Sequence, residues 1–228
     1  MDINKELKKA SQKELMTVLG VSRPLISELQ NGKRVLTDKQ QNTLTDYFNS
    51  LQDANSLRIN LPQKNLEKFK QTFIYLISKV GAKPNVGQTV LYKLLYFIDF
   101  DYYEKYEEQL MGLTYIKNQY GPTPREFKKV VEDMQKDGLI DSAETEHFSH
   151  AQKKYFPVSS PNLSKLSGQE VDMIDSVIKR YSDLSASQLS DLSHQDTPWQ
   201  MADDKEDINY EYAFYRPERF SVREYSKL

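Results

Sequence analysis

The sequence predicts a mainly α-helical protein (α+β) with a small antiparallel β element, divided into two domains. Apolar residues recur at helical spacing over most of the 228-residue chain. Glu144–His147 and Lys154–Val158 are short and can pair as two antiparallel strands. The apolar periodicity stops between Gln52 and Gln63, where polar residues and Pro62 indicate a linker. We therefore predict domains at residues 1–55 and 66–228, joined by residues 56–65.

The composition narrows the class of protein. The chain has no cysteine, which excludes disulfides, thiolate metal sites and cysteine nucleophiles, and which is typical of intracellular proteins. No apolar run approaches the roughly 20 residues that span a bilayer, and the first residues lack the apolar core of a signal peptide. We therefore expect a cytoplasmic protein with no membrane partner.

The N-terminal segment has the pattern of two short helices joined by a tight turn. Ser11 and Ser22 stand where a side-chain oxygen caps the first turn of a helix. Gly20 suits the left-handed backbone of the connecting turn, and Asn31–Gly32 ends the second helix. This arrangement is a helix-turn-helix, which lays its second helix in the major groove of DNA. The smaller domain is accordingly predicted to be a helix-turn-helix bundle.

Apolar periodicity and capping residues predict the remaining helices. In the smaller domain, a third helix is expected over Asp38–Leu51, behind a Thr37 cap. The larger domain is predicted to be mostly helical, with helices at Leu66–Val80, at Thr89–Tyr103, from Pro124 behind a Thr123 cap to Gly138, at Ser167–Leu184 and at Ser187–Ser193.

The smaller domain resembles the lambda-repressor-like regulators of phages and bacteria. The resemblance rests on Gln12, Gly20-Val21-Ser22, Ile26 and Asn31-Gly32-Lys33-Arg34. It implies that Gln12 and Ser22 contact phosphates, that Arg23 and Pro24 meet bases, and that Lys33 and Arg34 hold the DNA backbone. Ser27 completes the candidate DNA-binding set. Two residues depart from the family pattern. Met16 stands at the crossing of the two helices, where the family usually has a small residue, and Glu28 places an anion on the side that faces the DNA groove.

The charge of the smaller domain bears on how it would bind operator DNA. Residues 1–55 carry 8 Lys and Arg against 7 Asp and Glu. Because phosphate contacts supply much of the affinity for DNA, a nearly neutral monomer should bind weakly. We therefore expect a homodimer that occupies two half-sites.

The larger domain resembles the Panacea domain, also called the SocA-like antitoxin domain, over roughly residues 66–215. The resemblance is carried by four motifs in order, Lys93–Asp99, Gly112–Tyr115, Tyr120-Gly121-Pro122 and His194 through Pro198-Trp199. It implies a mainly helical domain that binds and neutralises a small protein toxin encoded by a neighbouring gene.

Candidate toxin-binding or supporting residues follow from this resemblance and from residue chemistry. Lys93, Tyr96 and Asp99 are hard to bury, and we expect them to line a surface groove. The full candidate set is Lys93, Tyr96, Asp99, Tyr103, Tyr120, His194 and Trp199. Among the chain's 15 tyrosines, some are expected to face a partner. The acidic run Asp203–Asp207 could be a solvated loop, or it could act as a decoy for a basic toxin surface.

The three histidines give little reason to expect catalysis. His147 and His150 are interpreted as surface residues, and His194 as a structural hydrogen-bonding residue beside the aromatic Trp199. We expect no metal and no cofactor, because the chain has no glycine-rich phosphate loop, nucleophile elbow or metal-ligand run.

The sequence therefore favours a type II antitoxin, not an enzyme. Two alternatives stay open. One is a phage or prophage transcriptional regulator whose larger domain dimerises or senses a ligand, and the other is an adaptor that delivers a partner to a protease.

Overall fold

The structure is a computed structural model that describes residues 3, 7–8, 10–57, 65–147 and 150–223. The chain divides into two compact units, residues 1–61 and 62–228. The predicted fold class, mainly α with a small antiparallel β element, is confirmed. Within the described parts of the chain, no helix is both long enough and apolar enough to cross a membrane.

Helices α1 (Gln12–Leu19), α2 (Arg23–Gln30) and α3 (Asp38–Leu57) pack around the core of the first unit. Gly20 adopts φ 64°, as its predicted place in the turn requires. The buried cluster of this unit consists of Leu7, Leu15, Ile26, Leu29, Leu44 and Phe48.

The capping predictions for this unit have mixed outcomes. Ser11 and Ser22 occupy the N-cap positions of α1 and α2, but neither side chain makes a cap hydrogen bond. The extended backbone at each position already directs the chain into the helix. Thr37 does cap α3, because its Oγ1 accepts from Gln40 N at 3.3 Å and Gln40 Oε1 accepts from Thr37 N at 3.0 Å.

Helix α3 is longer than the sequence predicts. It ends at Leu57 instead of Leu51, so the prediction of an irregular linker from Gln52 is wrong over residues 52–57. The apolar periodicity fades there, but no glycine or proline interrupts the helix before Leu57. Residues 58–64 of the predicted linker lie outside the described residues.

The second unit is built around one central helix. Its helices are α4 (Leu66–Val80), α5 (Gln88–Tyr106), α6 (Phe127–Lys136), α7 (Gly168–Tyr181), α8 (Ala186–His194) and α9 (Thr197–Met201), and its two 3₁₀ helices span Leu163–Lys165 and Tyr210–Tyr215. The central helix α5 packs against α7, α8 and the 3₁₀ helix Tyr210–Tyr215. Its side chains are buried around its whole circumference, and they are mostly apolar or aromatic.

Two small antiparallel sheets complete this unit. Strands β3 (Ile140–His147) and β4 (His150–Pro157) form the predicted antiparallel pair, in a register that pairs Ile140 with Pro157. Each strand begins four residues before its predicted start, and β4 ends one residue before its predicted end. Strands β1 (Tyr115–Ile116) and β2 (Thr123–Pro124) form the other sheet.

The predicted helix start at Pro124 is wrong, because Thr123 and Pro124 form strand β2 and helix α6 begins at Phe127. The Glu126 side chain, three residues after Thr123 where a capping box would need it, instead accepts a hydrogen bond from Thr114 N at 3.0 Å. The polar groups expected to cap a helix are therefore used to join two strands.

Candidate partner-binding site

Side-chain hydrogen bonds hold Arg23 at the first position of α2. Arg23 Nε donates to Gln12 Oε1 at 2.9 Å, and Gln12 Nε2 donates to Gln30 Oε1 at 3.2 Å. Gln30 Nε2 donates in turn to the carbonyls of Leu7 and Ala10 at 2.9 and 3.0 Å. This bond uses Nε of Arg23 and not the two terminal nitrogens of its guanidinium group.

The other candidate DNA-binding residues lie at or near the surface of the first unit. Ser22, Pro24, Lys33 and Arg34 are exposed, and Ser27 is half-buried. Glu28, the anion that departs from the family pattern, lies 3.9 Å from Arg34 Nη1. Both charges of this pair are more than half exposed, so the pair contributes little to stability.

In the second unit, Asp99 joins two of the sequence motifs, Lys93–Asp99 and Gly112–Tyr115. Its Oδ1 accepts from Met111 N at 2.7 Å and from Gly112 N at 3.3 Å, and its Oδ2 accepts from the Tyr115 hydroxyl at 3.0 Å. The Tyr210 hydroxyl lies 3.1 Å from the same Oδ2. Burial raises the pKa of Asp99 to about 6, against the opposing effect of these hydrogen bonds. Asp99 therefore fixes the loop before β1 to the central helix.

Tyr96 leads to a buried ionic cluster. Its hydroxyl donates to Asp196 Oδ2 at 2.8 Å, and Arg216 donates to both oxygens of that carboxylate. Arg216 Nη1 also lies 2.7 Å from Asp101 and 2.9 Å from Glu104. The four ionised side chains are at most 1% exposed. The C-terminal segment is thus locked to the central helix by charge.

The predicted surface groove at the central helix is wrong. Lys93, Tyr96 and Asp99 are at most 1% exposed, and Tyr103, which donates to Glu211, is buried as well. These polar groups are buried because hydrogen-bond partners come to them from loops distant in sequence. They can support a binding surface, but they cannot form one.

Lys93 supports the loop that carries Tyr120. Its Nζ donates to the carbonyl of Pro122 at 3.0 Å, and Ser190 Oγ on α8 donates to the carbonyl of Tyr120 at 2.8 Å. Gly121, between them, has φ 91°, which favours glycine. The Tyr120 ring itself is 67% exposed.

His194 and Trp199 form a stacked pair, with ring centroids 4.2 Å apart. Lys117 Nζ lies 4.4 Å from the centroid of the Trp199 ring. The predicted structural hydrogen bond of His194 is not found at Nε2, which is buried without a partner, as is Trp199 Nε1. Burial lowers the pKa of His194, and the cations Lys93 and Lys117 lower it further. The pair is therefore held by stacking.

We group the aromatic and apolar side chains that are exposed or half-buried on the segments joined to this pair, and we call the group the Tyr120 face. It consists of Tyr120, Trp199, Met201 and Tyr215, where Met201 is 50% and Tyr215 70% exposed and Trp199 is half-buried. Contacts link its parts: Tyr120 is bonded to α8, α8 ends in the residue that stacks on Trp199, and Thr197 donates to the Tyr215 carbonyl at 3.4 Å.

The acidic run Asp203–Asp207 follows this face directly and is exposed. Asp207 pairs with Arg125 at 2.7 Å, and Asp204 lies 3.7 Å from Lys117 Nζ. The run also adds a β-bridge from Asp207 to Ile116. Two of its four carboxylates are therefore paired within the protein.

Comparison with known protein families gives a match in the middle of this unit. Residues 91–200 match the family described as antitoxin SocA-like, Panacea domain. The match covers slightly less than half of the chain. Neither the curated proteins nor the solved structures show a significant match to the chain. Antitoxin function is thus what the family indicates for this chain.

The Panacea match contains all seven candidate binding or supporting residues of the second unit. The compact unit extends beyond the match on both sides. Helix α4 precedes it, and Ile208, Tyr210, Ala213, Arg216 and Phe220 are buried after it. The structural unit around the Panacea segment therefore includes the C-terminal segment.

The sequence analysis missed the cluster of Asp101, Glu104, Asp196 and Arg216. The sequence does offer a reason to expect such a cluster. Asp101 and Glu104 lie in a mostly apolar helix, and carboxylates buried in such a helix need a cation or other polar partners. The sequence does not show which cation fills that role, because Arg216 is 112 residues from Glu104.

The side chains of His147 and His150 lie outside the described ones, although the strand register pairs the two residues. In the described parts of the chain, no cluster of three or more potential metal ligands is found.

Proposed function

We propose that the chain is the antitoxin of a type II toxin–antitoxin system. The second unit binds a cognate protein toxin, encoded by a neighbouring gene, through the Tyr120 face. The first unit binds the operator of the operon, as part of a homodimer. The observation that carries this proposal is an exposed tyrosine on a loop fixed by buried side chains, within a segment that matches an antitoxin family.

The arrangement favours binding by contact. The buried polar side chains of the Panacea motifs, Lys93, Tyr96 and Asp99, are engaged in hydrogen bonds inside the protein. The same motifs also carry Tyr120, which is exposed, and Trp199, which is half-buried, and tyrosine and tryptophan are residue types that often dominate protein interfaces. Covering the active surface of a toxin needs no chemical step.

The direct test is co-expression with the adjacent reading frames. We expect one of them to encode a small protein that stops growth alone and is tolerated when this chain is present. Growth arrest that persists in the presence of this chain, for every adjacent product, would contradict the proposal. Measurement of toxin half-life after protein synthesis is stopped separates sequestration from delivery to a protease.

The Tyr120 face should carry most of the affinity for the toxin. We expect Tyr120→Ala and Tyr215→Ala each to weaken binding by about 2 kcal/mol, roughly thirtyfold, because exposed aromatic anchors dominate interfaces. The measurement is calorimetric titration with the toxin. Val158→Ala is the matched control, since Val158 is 64% exposed elsewhere on the unit. Equal losses in all three variants would exclude this face as the docking site.

Operator recognition should depend on Arg23. A bidentate contact with guanine contributes about 1–3 kcal/mol of discrimination, so Arg23→Ala should bring operator and random DNA closer in affinity by that amount. Lys33→Ala should weaken binding to both DNAs alike, because a phosphate contact carries no sequence information. Fluorescence anisotropy on the DNA upstream of the gene measures both, and unchanged discrimination in Arg23→Ala would exclude the assigned role.

A further inference from the structure

The central helix buries one amine without a carboxylate partner among its described contacts. Lys93 is 1% exposed, and its Nζ makes its hydrogen bond to the carbonyl of Pro122 at 3.0 Å. Burial lowers the pKa of Lys93 to about 7. Two buried acids of the same helix, Asp101 and Glu104, differ from Lys93 because each pairs with an oppositely charged group, Arg216. A buried, weakly compensated amine destabilises a fold, so its presence calls for another reason.

The position of this amine supplies that reason. A Cβ on Gly121 would lie 2.8 Å from Lys93 Cε and 2.4 Å from Ser193 Oγ, so the loop backbone rests directly on these side chains. The neighbouring carbonyls of Tyr120 and Pro122 accept from Ser190 and Lys93. The backbone of the three consecutive residues 120–122 is thus held by side chains of the central helix and of α8. Tyr120 itself is 67% exposed.

We propose that Lys93 is a positioning residue for partner binding, which fixes the Tyr120 loop in its binding conformation at the expense of stability. The inference rests on the proposed function, because it explains how the Tyr120 face is prepared for a toxin. A loop that is already ordered loses less conformational entropy when a partner binds, and the affinity gains accordingly.

The test is Lys93→Met, which keeps an unbranched side chain of similar length and removes the amine. We expect the melting temperature to rise by about 3 °C, because relief from burying the amine exceeds the loss of one hydrogen bond. We expect the affinity for the toxin to fall about tenfold, because the loop no longer holds Tyr120 in its binding position. A purely structural role would move stability and affinity in the same direction.

A matched control is available in Lys154. This lysine is also buried, at 9% exposure, and its Nζ donates to the carbonyl of Lys83 at 2.8 Å. Lys154→Met should change the melting temperature and leave the affinity for the toxin unchanged. An equal loss of affinity in both lysine variants would overturn the positioning role.

A milder variant keeps the proposal testable if Lys93→Met fails to fold. Ser190→Ala removes the hydrogen bond to the Tyr120 carbonyl and leaves Lys93 in place. We expect it to weaken toxin binding about threefold to fivefold, in the range of one neutral hydrogen bond. Wild-type affinity in Ser190→Ala would count against the proposal.

The probe is the product of the adjacent reading frame, used with the full chain. If the wild type does not bind that protein, the proposed function fails, and amide exchange then decides the role of Lys93. Gly121 N donates to Asn118 O at 2.8 Å, and this amide should exchange at least threefold faster in Lys93→Met than in wild type. Unchanged exchange of Gly121 would overturn the inference. Tight binding by both the wild type and Lys93→Met would also overturn it, while leaving the proposed function intact.

Discussion

Replacement of Arg216 by methionine is expected to destabilise the second unit by at least about 4 kcal/mol, enough to leave much of it unfolded at 37 °C. The variant leaves Asp101, Glu104 and Asp196 buried together, without the guanidinium that lies within 3 Å of all three. Asp101 keeps Arg180 at 2.5 Å, whereas Glu104 and Asp196 lose the cation described for them. Methionine fills the volume but donates no hydrogen bond. Uncompensated buried charge is among the largest single destabilising effects known in proteins.

The free energy of unfolding in urea, followed by circular dichroism, measures this effect. Arg223→Met is the matched control, because Arg223 pairs with Glu107 at the surface and its side chain is 28% exposed. That variant should lose less than about 1 kcal/mol. Equal unfolding midpoints for the two variants would show that the buried cluster does not hold the C-terminal segment in place.

The second large effect is expected for Asp99→Leu, which should lower the free energy of unfolding of the second unit by about 4 kcal/mol. The change removes the acceptor for the amides of Met111 and Gly112 and for the Tyr115 hydroxyl, which are all buried. Each buried donor left without a partner costs about 1–3 kcal/mol. Asp99→Asn should lose less, because its amide oxygen still accepts, and urea unfolding should rank the two variants in that order.

The pH dependence of stability gives an independent check on Asp99. Its pKa is about 6 in the folded protein and about 3.9 in an unfolded chain, so the folded state holds this proton more tightly. The contribution of Asp99 to stability should therefore rise as the pH falls from about 6 to about 4. The difference in unfolding free energy between wild type and Asp99→Asn, measured across this range, should show that rise. A constant difference would contradict the buried position of this carboxyl group.

Helices whose pattern is local were predictable from the sequence. Helix α4 spans Leu66–Val80, as its apolar periodicity predicts, and the hairpin of β3 and β4 forms where β-prone segments were found. Helix α5 runs from Gln88 to Tyr106, one residue before its predicted start and three residues past its predicted end. It ends where the backbone turns left-handed at Glu107. Periodicity reports burial of a helix face, and that requires only neighbours within a few residues.

The candidate site was less predictable, because its contacts join distant parts of the chain. The motifs indicated which residues matter, yet Tyr96 reaches Asp196 across 100 residues and Asp99 reaches Tyr210 across 111. Without these partners, the polar residues of the central helix were expected at the surface. The start of helix α6 was mispredicted for the same reason, over a shorter separation in sequence. Pro124 fits the start of a helix, but it pairs with Tyr115 in a β-sheet instead.

The central claim is that a protein toxin docks on the Tyr120 face. Hydrogen exchange of the full chain, measured with and without the toxin of the adjacent gene, tests it most directly. We expect the toxin to slow exchange at residues 118–122, 194–201 and 213–215, while the hairpin of β3 and β4 exchanges as before. Slower exchange confined to the hairpin or to helix α4, with these three segments unchanged, would contradict the claim.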